Sequence, residues 1–248
     1  MPTPFTHLAT AARILNDARV PPSLHAALMV EKGAFLLGNI AADARVSSGI
    51  ERAQTHFYSF DRPITEHPWR VMLARFPQLT RPTSMAQRVF LAGYVAHLAM
   101  DEVWSVRIVR PYFGEGAWGT PAQRFLLLNA LLVRMDLRDY AALADWQRLA
   151  LLEASPHGWL PFMTDMDLAG WRDFVGAQLP PDGESQTLAV IGERIGYQPA
   201  ALQALVASAD AMTLLWDNVP EVVVTQAERA MREQSLLDML TYWQECGE

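Results

Sequence analysis

Residues 84–111 read SMAQRVFLAGYVAHLAMDEVWSVRIVRP, and this stretch decides the fold. Ser84 stands where a helix N-cap belongs, and Pro111 where a helix must stop. Between them Val89, Phe90, Gly93, Tyr94, Ala96, Ala99, Met100, Val103 and Trp104 leave almost no polar face. A helix that is apolar nearly all round belongs at the centre of its domain. Two residues break the pattern. His97 and Asp101 are four apart, hence on one face and one turn apart. Both have apolar neighbours, so Asp101 needs a cation, a hydrogen-bonded His or an Arg to offset its burial.

Helical spacing continues outward from this centre. Leu8, Ala11, Ala12 and Leu15 follow Pro4 at three- and four-residue steps, as in a helix opened by proline. Ser23 is placed to cap a second helix from about Leu24 toward Leu37, ending near Gly38. From Asn39 to about Thr83 the pattern breaks up around Pro63, Pro68, Pro77 and Pro82, with short helical pieces expected near Trp69 to Phe76. Irregular stretches of that length are usually functional or disordered, and the aromatic content argues against disorder. Further helices are predicted near 121–135, 137–153, 167–178, 184–195, 199–216 and 221–245. Strand signals are nearly absent and no internal repeat is visible. The expected fold is all-α, a multi-helix domain around a central buried helix. A single domain over 1–248 is expected, with a core over 1–110 and a helical carboxy-terminal part over 111–248.

Composition bounds the function. The 248 residues are 51% hydrophobic and 19% charged, which supplies a core and excludes a disordered chain. Lys32 is the only lysine, so nearly all the basic charge is arginine. A net charge of −7 disfavours duplex nucleic acid and anionic membranes, although a local arginine cluster could still hold one phosphate. Cys246 is the single cysteine, so neither an internal disulfide nor a cysteine zinc site is available. No basic and apolar leader pattern opens the chain, and no apolar run reaches the roughly 18 residues of a spanning helix. The expectation is a cytoplasmic protein without integral membrane association, and a homo-oligomer is compatible with it.

The six histidines are His7, His25, His56, His67, His97 and His157. Taken singly each has a plain structural reading. His7 suits a buried position on an amphipathic helix, Asp43 an Asx-turn or cap, and His97 with Asp101 a satisfied core pair. The i, i+4 pair equally suits a metal site, since imidazole and carboxylate are both zinc ligands. His25, His67 and His157 read as surface residues. Phe57, Tyr58, Phe60 and Trp69 read as packing around loops or as the apolar wall of a cleft.

In order along the chain stand Thr6-His7, then Gly38-Asn39-Ile40-Ala41-Ala42-Asp43, then Arg52 with Thr55-His56, then Gly93-Tyr94-Val95-Ala96-His97 with Asp101. This order and spacing resemble the bacterial zinc-dependent phospholipase C family, whose distant relatives include secreted single-strand nucleases with the same all-helical zinc core. The resemblance covers about the first 110 residues. It implies a Zn²⁺ cluster, of one or two ions, that hydrolyses a phosphodiester or phospholipid-like substrate through a metal-activated water. By the resemblance, His56, His97, Asp101 and Asp43 would bind one ion. Asp101 would bridge toward a second that His7 helps to hold, and Asp43 would orient or deprotonate the attacking water. Arg45 and Arg52 are nominated to neutralise developing charge because they lie nearest these ligands in sequence.

Two departures limit the comparison. Trinuclear members bind metal through an amino-terminal tryptophan, where this sequence begins Met1-Pro2. Their further His, His and Glu ligands are also missing, because only His157 follows His97. Glu102 points about 100° away from Asp101 and reads as supporting or surface. Two other readings stay open: a non-catalytic helical protein with a structural metal or an interaction role, and a buried hydrogen-bond network without metal. The carboxy-terminal half, including Trp159-Leu160-Pro161-Phe162 and Trp171-Arg172-Asp173, offers no chemistry and is read as a lid or an interface.

Overall fold

The computed structural model describes residues 2–246 and contains no strand among them. The helices are α1 (Pro4–Leu15), α2 (Pro22–Val30), α3 (Lys32–Ala41), α4 (Arg45–Ser48), α5 (Arg52–Thr55), α6 (Pro68–Arg75), α7 (Met85–Trp104), α8 (Pro121–Tyr140), α9 (Asp145–Glu153), α10 (Asp165–Gly176), α11 (Thr187–Ile195), α12 (Pro199–Ala207), α13 (Ala209–Asn218) and α14 (Glu221–Glu245). The fold is all-α.

The central helix is α7. The Ser84 hydroxyl accepts from the Gln87 amide and caps it, as the sequence predicts. Every residue from Val89 to Asp101 is buried. α3 packs along one side of α7 and α14 along another. The α3 crossing is close because two glycines oppose backbone. A Cβ on Gly38 would lie 2.0 Å from the Phe90 carbonyl oxygen, and one on Gly93 would lie 2.4 Å from that of Phe35. Gly38 therefore does not end its helix, as its type suggests, but serves helix–helix contact, and α3 runs on to Ala41. The α14 side is fixed by the buried Ser235 hydroxyl, which donates to the Ala96 carbonyl at 2.9 Å.

Other boundaries differ from expectation for local reasons. The single helix expected over 24–37 is two, broken at Glu31, and Pro21 rather than Ser23 occupies the cap position. α8 continues through Met135 to Tyr140 because its buried face, including Asp136 and Asp139, continues. The segment 199–216 divides at Ser208, whose hydroxyl caps α13. Pro111 does not stop the central helix either. Beyond Trp104 the chain widens into a π-helical run, Ser105–Gly114, with Pro111 inside it. Such widened turns often mark functional regions.

Two apolar clusters meet on α7. One gathers α1, α3, α6, α9 and α10 with Leu236, Met239 and Tyr242 of α14. The other gathers Met100 and Trp104 with α8, α11, α12 and α13. Between the short segments after α3, the π-helical run, α8 and α11 lies a cleft of about 630 Å³.

Candidate metal centre

Each polar residue of the centre is delivered by a different element. His7 comes from α1, Asp43 from the single turn Ala42–Ala44 after α3, His56 from the end of α5, and His97 and Asp101 from α7. His7, His56, His97 and Asp101 are fully buried, while Asp43 keeps 16% of its side chain exposed toward the cleft.

Backbone contacts orient the imidazoles. His97 Nδ1 lies 2.7 Å from the Asn39 carbonyl oxygen. A carbonyl only accepts, so Nδ1 carries the proton and Nε2 presents a lone pair. Thr55 Oγ1 donates to the Arg52 carbonyl at 3.3 Å and lies 2.9 Å from His56 Nδ1. A Thr55 hydroxyl directed at that carbonyl accepts from His56 Nδ1, which is the tautomer that leaves Nε2 as a lone pair. Tyr94 supports this from below by donating to the Thr55 carbonyl at 2.8 Å. Immediately after His56 the chain turns through Phe57 at φ 61°, a left-handed conformation uncommon for a bulky side chain. Phe57 is held there by ring contacts to Phe76 and Phe162.

The lone pairs converge. His56 Nε2 and His97 Nε2 are 3.5 Å apart. Asp101 Oδ2 lies 3.2 Å from the first and 3.7 Å from the second, and Asp43 Oδ1 lies 3.4 Å from His56 Nε2. Tetrahedral bonds of about 2.0–2.1 Å place neighbouring ligand atoms about 3.3–3.4 Å apart, so the spacing suits a zinc-sized ion. Asp101 Oδ1 faces His7 Nε2 at 3.5 Å. That oxygen and both His7 ring nitrogens are buried with no hydrogen-bond partner. His7 stacks on His97 with ring centroids 3.9 Å apart. Orphaned donors and acceptors around converging lone pairs fit a missing cation better than a satisfied network.

The ionisation states agree. Burial, reinforced by His7, pushes the His97 pKa down to about 3, keeping the ring neutral. Burial alone would raise Asp43 and Asp101, but the surrounding imidazoles hold both below the ordinary carboxylate range. Neutral imidazoles and ionised carboxylates are the forms that bind metal.

Arg52 reaches this centre. Its Nη2 donates to Asp101 Oδ2 at 3.1 Å and to the Tyr58 hydroxyl at 2.8 Å, and its buried Nη1 has no partner. Tyr58 and Phe60 flank the guanidinium at 4.4 and 4.5 Å from the ring centroids. Arg45 is not brought to the ligand atoms; it lines the cleft beside Asp43. Glu102 turns away and accepts from the exposed His67 at 2.9 Å, and His25 and His157 are exposed elsewhere. Of the aromatic group, Phe57, Tyr58 and Trp69 are buried, and Phe60 lines the cleft.

Sequence reasoning missed three supports: the Asn39 carbonyl, the Thr55 hydroxyl and Tyr58. A backbone carbonyl leaves no side-chain signal, whereas Thr55, adjacent to His56, was open to recognition. The carboxy-terminal half, read from the sequence as a lid or an interface, supplies part of the cleft wall through Phe125, Leu128, Asn129, Trp171, Ile191 and Arg194.

Residues 3–104 match the family model described as zinc dependent phospholipase C. Neither the search of curated proteins nor that of solved structures returned a match.

Proposed function

Since this chain belongs, through residues 3–104, to the zinc-dependent phospholipase C family, we propose that it hydrolyses a phosphodiester of phospholipid type at the His–Asp centre. The observation that carries the reading is the convergence of imidazole nitrogens and carboxylate oxygens at the edge of a large cleft with apolar walls. His56, His97, Asp101 and Asp43 would hold one Zn²⁺ or similar divalent ion. The second oxygen of Asp101, turned to His7, would serve a second ion. A bound ion would polarise a phosphoryl oxygen and lower the pKa of water.

The chain's own residues supply the rest. Asp43, ionised and open to the cleft, accepts the proton of the attacking water and returns it to the departing alkoxide. Arg52 offers its unpartnered Nη1 to a phosphoryl oxygen, neutralising charge that grows as the water oxygen bonds to phosphorus. Tyr58 and Asp101 keep that guanidinium fixed. The P–O bond to the alcohol then breaks, leaving a phosphomonoester and a free alcohol. Arg45, farther along the cleft, would contact a non-reacting part of the substrate.

One observation favours a second reading, a structural metal. Four of the five polar residues are completely buried and tie α1, α5 and α7 together. Elemental analysis, melting temperature and hydrolysis of an aryl phosphodiester separate the readings. About one or two zinc ions per chain with chelator-sensitive turnover supports the hydrolase. Bound metal and a chelator-induced fall in melting temperature, without turnover of any phosphodiester, supports the staple. Metal-free protein of unaltered stability rejects both.

A further inference from the structure

The cleft is positively charged in an acidic chain. Five arginines line it, Arg45, Arg52, Arg62, Arg110 and Arg194, against three carboxylates, Asp43, Asp61 and Glu115. Three of the arginines are matched locally. Arg52 lies 3.1 Å from Asp101, Arg62 lies 3.7 Å from Asp61, and Arg110 lies 2.8 Å from Glu115.

Arg45 and Arg194 are not matched. Among the described residues neither forms an ion pair with a carboxylate. The buried Arg45 Nε has no acceptor. Arg194 Nη2 donates at 2.7 Å to Asn129 Oδ1, a neutral amide that orients the guanidinium without neutralising it. Burial lowers the Arg194 pKa, the Asp43 carboxylate raises it and Arg45 lowers it further, so both guanidinium groups share one field with Asp43. Two guanidinium groups that line one cleft with no carboxylate ion-paired to either form a receptor for an oxyanion, which would accept from both.

We infer that Arg45 and Arg194 form an anion subsite beside the His–Asp centre, and that it holds a second negatively charged group of the substrate. This rests on the hydrolase reading for the word substrate, but the subsite stands on its own geometry. The scissile diester carries one negative charge, which Arg52, together with an ion that the His–Asp ligands would hold, would serve. A cleft with two further cations selects a headgroup bearing a phosphate monoester or carboxylate, and it disfavours a cationic headgroup. Arg194 lies outside the segment 3–104, so this selectivity belongs to the carboxy-terminal half of the chain.

Two measurements on the purified full-length protein test it. The first is calorimetric titration with inorganic phosphate, and separately with acetate, before and after treatment with chelator. The inference expects phosphate binding that survives chelation and weakens at least tenfold in Arg45→Gln and in Arg194→Gln, with Arg194→Lys retaining part of it. Acetate binding with the same dependence identifies carboxylate as an equivalent ligand, whereas phosphate alone identifies the monoester. Binding abolished by chelator and indifferent to both substitutions places the anion on the metal and overturns the inference. The second compares a plain aryl phosphodiester with one carrying an additional carboxylate or phosphate. Wild type should favour the anionic diester by at least tenfold in kcat/KM, and both Gln variants should bring that ratio toward one. A ratio near one in wild type overturns the inference. Phosphate binding of the expected pattern without turnover of either diester would sink the hydrolase reading while leaving the subsite supported.

Discussion

Replacing Asp101 by Asn keeps the shape of the side chain and removes one charge at the meeting point of three imidazoles and Arg52. Asp101 Oδ2 lies 3.2 Å from His56, 3.7 Å from His97 and 3.1 Å from Arg52, and Oδ1 lies 3.5 Å from His7. Without metal the change is the smaller of the two effects. The amide still accepts from Arg52 and needs less desolvation, but Arg52 loses its charged partner, so the metal-free protein loses some stability. With metal it is severe, because a charged oxygen ligand becomes a weak neutral one. Loss of an outer partner alone costs about 10–100-fold in affinity, so loss of this ligand should cost at least about 100-fold. At zinc equal to about 100 times the wild-type Kd, wild type gains about 2.7 kcal/mol and the variant only about 0.4 kcal/mol. For a chain of this size about 2.3 kcal/mol corresponds to roughly 5–9 °C in melting temperature. The assay is differential scanning calorimetry of both proteins, stripped of metal and then titrated with zinc. Expected are a lower melting temperature for the variant in chelator and a gap wider by roughly 5–9 °C with zinc. Equal zinc-induced shifts in the two proteins would refute the assignment of Asp101 as a ligand.

Three further outcomes are expected. Gly93→Ala forces a Cβ to within 2.4 Å of the Phe35 carbonyl oxygen, so α3 must move away and carry the Asn39 carbonyl from His97. The expected cost is about 1–3 kcal/mol, with weakened metal binding; unaltered melting temperature and zinc affinity would contradict the close crossing. Arg52→Gln should lower kcat on an aryl phosphodiester by about 100-fold while zinc content stays near wild type, which kinetics and elemental analysis together check. Asp136, buried between the hydroxyls of Thr3 and Thr187, has a pKa pushed up to about 7, chiefly by burial. Its folded pKa exceeds the unfolded value, so the folded state binds more protons between about pH 4 and 7, and stability falls as pH rises through that window. Asp136→Asn should flatten this part of the stability–pH profile; a variant that keeps the wild-type slope assigns it to another group.

Much of the fold was written in local pattern. The Ser84 cap of α7 and its burial follow from an apolar surface with one polar pair, because helical periodicity needs only neighbours in the chain. Boundaries failed where a distant contact outweighed residue preference. Gly38 looks like a helix end until the Phe90 carbonyl is known to press on it, and Pro111 looks like a stop until the chain widens around it. Of the candidate ligands, His97 and Asp101 stand out as a polar pair on an apolar helix, whereas His7, Asp43 and His56 are named only through the resemblance carried by the whole order of motifs.

What the linear chain determined is therefore the all-helical class, with five candidate ligands that the family resemblance names. What tertiary structure alone decided is their tautomers, their spacing and the cleft they serve. The Asn39 carbonyl sets His97, the Thr55 hydroxyl contacts His56, and Arg194, far along the chain, lines the same cleft as Asp43. The physical reason is that helix formation follows short-range periodicity, whereas a centre drawn from α1, α3, α5 and α7 depends on how closely those helices cross, and two opposed glycines set that distance.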